Sequence, residues 1–131
     1  MATIRRFEDI EAWQKARILT QQIYDISSNS KFRKDFVLRD QMRRACISIV
    51  SNIAEGFSRR GNKEFARFLD IAHASTAELQ AQLYVAFDQS YLDTQEFEKL
   101  YESADEVSKM IKGFMNYLHK TRNSQLLNSL T

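Results

Sequence analysis

Residues 41–57 read QMRRACISIVSNIAEGF, and this stretch decides how the rest of the chain is understood. Between Ala45 and Ala54 only Ser48, Ser51 and Asn52 interrupt a run that is apolar nearly all the way round a helix. A surface helix of a lone bundle buries one stripe and wets the other. A helix greasy on several faces therefore predicts packing inside its own bundle and against a second surface. The simplest second surface is another copy, with Cys46, Ile47, Val50, Ile53 and Phe57 as the expected oligomer interface. Arg43 and Arg44 stand just before the apolar run, and Arg59 and Arg60 just after it.

Composition agrees with long helices. The 131 residues contain no proline and three glycines, too few turn-formers for a sheet protein of this size. A chain of this length forms one domain, residues 1–131. Cys46 sits inside the apolar run and reads as a small core residue in a reducing compartment. MATIRRFEDIEAW has no apolar core of a signal peptide, and no run is long enough to span a membrane, so a cytoplasmic protein is expected.

Apolar spacing predicts four helices, at about residues 7–27, 35–57, 63–90 and 94–120, with a tail over 121–131 that frays or docks through Leu126, Leu127 and Leu130. Asp35, Asn62 and Asp93 or Thr94 are the expected N-caps, and Gly56 the terminator or kink of the second helix. Short connections join antiparallel neighbours, so the fold class is all-α: an antiparallel up-down-up-down four-helix bundle, assembling as a homo-oligomer.

Charge is segregated although the net is only +2. Residues 31–67 carry ten basic against four acidic side chains, and residues 68–110 carry two against nine. The cationic set Arg39, Arg43, Arg44, Arg59, Arg60, Lys63 and Arg67 is the candidate contact for RNA or DNA backbone. The competing reading makes these solvated helix ends, paired with Glu55, Glu64 and Asp70. No glycine-rich phosphate loop is present, so any contact is backbone-directed and weakly sequence-specific.

Ser48, Asn52 and Glu55 recur at helical spacing, as do Ser75, Glu78 and Gln82. The favoured reading is a hydrogen-bonded network fixing the register of helices two and three, with an arginine on each carboxylate. A catalytic pair of Glu55 and Glu78 lacks a nucleophile or histidine at useful spacing. Asp70 and His73 form half of a di-iron pattern whose other ligands are missing. No cofactor, no metal and no enzymatic activity are expected. Trp13, Phe65, Phe68, Phe97, Tyr101 and Phe114 read as packing residues, and Tyr24, Tyr84 and Tyr91 as partly exposed.

Several of these stretches together resemble the bacterial four helix bundle proteins, also called 23S rRNA intervening-sequence proteins. They are Phe7–Ala16, Gln41–Ala45 with Ser48, Asn52–Phe57, Lys63–Phe65 with Phe68 and Leu69, and Glu78–Leu79 with Gln82–Leu83. Arg33 and Val50 stand where many members carry proline. The resemblance implies a left-handed bundle, a homo-oligomer that is pentameric in characterised relatives, and no enzymatic activity. A related branch serves diversity-generating retroelements, which implies RNA and a reverse transcriptase as possible partners. The alternative function is accordingly a protein–protein scaffold that does not touch nucleic acid.

Overall fold

The computed structural model describes the backbone of residues 4–130 and the side chains of residues 4–121. Four helices run α1 Glu11–Ile26, α2 Phe36–Phe57, α3 Asn62–Asp88 and α4 Thr94–Leu130. Each packs on its chain neighbour, and α1 closes the ring against α4. This is the expected antiparallel up-down-up-down bundle, all-α among the described residues.

The core runs the length of the bundle. Leu19 and Ile23 of α1, Met42, Ile49 and Ile53 of α2, Leu69, Leu79 and Leu83 of α3, and Val107 and Ile111 of α4 are all fully buried. Leu and Ile at three- and four-residue spacing give each helix one stripe that water leaves.

Helix ends depart from expectation in four places. The first helix does not begin at Phe7. A 3-10 turn covers Phe7–Asp9, Ile10 is extended and buried, and α1 starts at Glu11. The cause is local, because the Asp9 carboxylate accepts the Arg5 and Arg6 amides and closes a separate turn. Asp35 caps α2 as expected, accepting the Leu38 amide at 3.1 Å, and Tyr91 also donates to it at 2.9 Å. Asn62 is not the cap of α3. That place belongs to Gly61 at φ +86°, a left-handed conformation that suits glycine. Asp93 and Glu96 cap α4 reciprocally, each carboxylate accepting the other's amide at 2.8–2.9 Å. α4 then continues to Leu130, well past the end expected near residue 120. The expected docking of Leu126, Leu127 and Leu130 concerns side chains outside the described residues.

Gly56 does not end α2 either. The helix continues to Phe57, and a Cβ at Gly56 would sit 2.7 Å from Phe68 Cβ and 2.9 Å from Phe65 Cδ1. The glycine lets α2 approach α3 closely.

Candidate nucleic-acid interface

The up-down order brings the α2–α3 turn to the same end of the bundle as residues near 5 and 120. The start of α1, the α2–α3 turn and the stretch of α4 near residue 120 all lie there, and the 3-10 turn before α1 packs on α2. The turn itself supplies Arg59 and Arg60, and the first turns of α3 supply Lys63 and Arg67. Arg60 and Lys63 are exposed and make no ion pair within the described chain. Arg59 is held by Glu55 at 2.7 Å, and Arg67 by Glu64 at 2.9 Å. Both guanidiniums also lie over the Phe68 ring, 4.9 and 5.3 Å from its centroid. One aromatic ring thus gathers two planar cations, both partly open to solvent.

The rest of the expected cationic set is elsewhere and differently engaged. Arg39 and Arg43 lie near the start of α2, so Arg43 is roughly 24 Å along the helix from Arg59. Arg43 donates to the Ser27 hydroxyl at 2.9 Å, the Ser28 hydroxyl at 3.0 Å and the Tyr24 carbonyl at 3.4 Å, and lies over the Tyr24 ring. It ties the C-terminal end of α1 to α2. Arg39 donates to the Arg33 carbonyl and to Asp40, and covers the Phe36 ring. These two arginines are engaged within the fold, towards the other end of α2 from Arg59. Arg44, next to Arg43 in α2, is exposed to solvent.

Sequence reasoning missed Arg5, Arg6 and Lys120, which share the basic end. Their signal was topological: in an up-down bundle residues near 5, 60 and 120 must meet at one end.

The expected polar network is present in part. Ser48 and Ser75 hydroxyls meet at 2.8 Å across α2 and α3, and the Asn52 amide donates to the Ser48 carbonyl at 2.8 Å and hydroxyl at 3.1 Å. Gln82 donates to Glu78 separately at 3.1 Å along α3, with no arginine on that carboxylate among the described residues. Glu55 turns away to Arg59. A catalytic pair of Glu55 and Glu78 is therefore not assembled. Among the described residues no three His, Cys, Asp or Glu side chains converge to hold a metal. Burial pushes the Cys46 thiol up to about 12, so it is not a poised nucleophile.

The expected oligomer surface also needs correction. Cys46 and Ile53 are fully buried within the single chain, packed in its own core. They cannot meet a neighbouring copy. Ile47 is 46% exposed, while Val50 and Phe57 are half-buried against the core.

Residues 8–113 match the sequence profile described as 23S rRNA-intervening sequence protein. The chain belongs to that family. The fold is similar to that of a protein of unknown function from the S23 ribosomal protein family of Bacteroides thetaiotaomicron, at 22% identity and a TM-score of 0.73, over 79% of this chain and 97% of that one. A comparison with curated proteins returned no match. No helix among the described residues is long and apolar enough to cross a membrane.

Proposed function

We propose that this family member is a non-enzymatic, homo-oligomeric adaptor that grips nucleic-acid backbone with the α2–α3 end of its bundle. The observation that supports this most is the cationic turn. Four basic side chains, Arg59, Arg60, Lys63 and Arg67, fall within three helical turns, and Glu55, Glu64 and Phe68 pre-arrange two of them. Clustered cations gain affinity by releasing counterions from a polyanion, and planar guanidiniums match phosphate. The family's name, which links it to sequences within 23S rRNA, is consistent with RNA as the ligand.

Assembly multiplies the patch. The outer face of α2 offers Ile47, flanked by the small residues Ser51 and Ala54, and α3 offers Ile71 and Ala74 beside it. Apolar and small side chains exposed in this way suit a second copy. Arg39 and Arg43 serve the fold rather than the ligand in this account. The test is fluorescence anisotropy with a structured RNA: Arg60→Glu/Lys63→Glu should weaken binding at least tenfold, and unchanged affinity would reject the reading.

A further inference from the structure

A second surface lies on the α3–α4 face, away from the cationic turn. Tyr84 and Phe87, one turn apart on α3, meet Phe97 and Tyr101, one turn apart on α4. Ring centroids are 4.9 Å apart for Tyr84–Phe97, 5.1 Å for Phe87–Phe97, and 5.6 Å for both Tyr84–Tyr101 and Phe97–Tyr101. The cluster is open, with Tyr84 51% and Phe87 36% exposed. Phe97 and Tyr101 are half-buried against the core and carry the two exposed α3 rings, a contiguous patch beyond the scattered apolar residues that an ordinary surface carries.

The rim is acidic. Asp88 follows Phe87, Glu98 follows Phe97 and Glu102 follows Tyr101, and all three are exposed with no ion pair within the described chain. Asp105 is already taken by Lys109 at 3.0 Å. Glu98 and Glu102 are like charges four apart on one helix, an arrangement that destabilises it until a cation arrives. Aromatic faces attract cations as well.

We propose that this face docks an amphipathic, arginine- or lysine-bearing helix of a partner protein. Its apolar residues would lie on the exposed sides of the Tyr84 and Phe87 rings, and its cations would pair with Asp88, Glu98 and Glu102. Such helix-in-groove docking reads anchors at three- and four-residue spacing, the spacing at which these rings stand. The surface is separate from the nucleic-acid end, so this inference does not depend on RNA binding.

The probe is a synthetic 16-residue leucine–arginine amphipathic helix, with a leucine–glutamate helix of the same pattern as control, titrated against the full chain by anisotropy. The cationic probe should bind and the anionic one should not. Tyr84→Ser, and Glu98→Gln/Glu102→Gln, should each weaken binding at least tenfold while the melting temperature holds. Glu11→Gln, on α1, should leave it unchanged. Equal losses for Glu11→Gln would mean diffuse charge attraction and overturn the proposal. So would affinity indifferent to Tyr84→Ser, or a smaller assembly for Tyr84→Ser by light scattering, which would assign the face to a second copy.

Discussion

Gly56 and Phe68 touch so closely that no side chain fits between them: a Cβ on the glycine would lie 2.7 Å from Phe68 Cβ. The contact sets the distance between α2 and α3, and it lies beside the ring that carries Arg59 and Arg67. Gly56→Ala gains up to about 1 kcal/mol of helix propensity. Overpacking against an adjacent helix costs about 1–3 kcal/mol, and here the added Cβ would meet Phe68 Cβ at 2.7 Å and Phe65 Cδ1 at 2.9 Å, the first of them fixed to its own helix. The variant should melt at a lower temperature, as a thermal melt followed by circular dichroism would show. A higher melting temperature would mean that the interface yields.

Arg43 and Arg60 should behave as opposites. Arg43→Ala removes three hydrogen bonds that join α1 to α2, and should cost about 2 kcal/mol of stability with little effect on RNA affinity. Arg60→Ala should leave stability within about 0.5 kcal/mol, as for most surface changes, and weaken RNA binding. Thermal melts beside binding curves separate the two roles.

The Tyr91 phenol donates to Asp35, and that bond, followed by desolvation and the carboxylate's charge, raises its pKa above the ordinary 10.0. The folded chain therefore holds this proton more tightly than the unfolded chain does. The stabilisation is complete below about pH 10 and fades as pH climbs beyond it. Tyr91→Phe should flatten the alkaline limb of a stability–pH curve measured by urea unfolding, and a limb of unchanged slope would contradict the assignment.

Two isoleucines six residues apart on α2 distinguish assembly from folding. Ile47 faces solvent in the protomer, whereas Ile53 is fully buried. Ile47→Asp should give a folded chain of smaller size by light scattering. Ile53→Asp places a lone charge in the core and should cost about 4 kcal/mol or more, enough to unfold it.

Much of the bundle was legible in the sequence, because apolar spacing over 20 or so residues overwhelms local detail. The Asp35 cap and the Ser48–Ser75 contact followed from residue type and spacing. The start of α1 did not, since Asp9 organises a turn that periodicity cannot show. Gly56 read as a stop signal because its neighbour Phe68 lies twelve residues on, across a turn. The cationic set read as one patch for the same reason. Only the helix directions reveal that Arg39 and Arg43 stand at the opposite end from Arg59, and that Arg5, Arg6 and Lys120 join the latter.

The most direct test is the salt dependence of RNA binding. If four cations per protomer contact phosphates, the logarithm of the association constant should fall with the logarithm of salt with a slope of about −3 to −4 for each engaged copy. Arg60→Glu/Lys63→Glu should make that slope shallower by about two. A slope near zero, or one that the double variant leaves unchanged, would contradict the account.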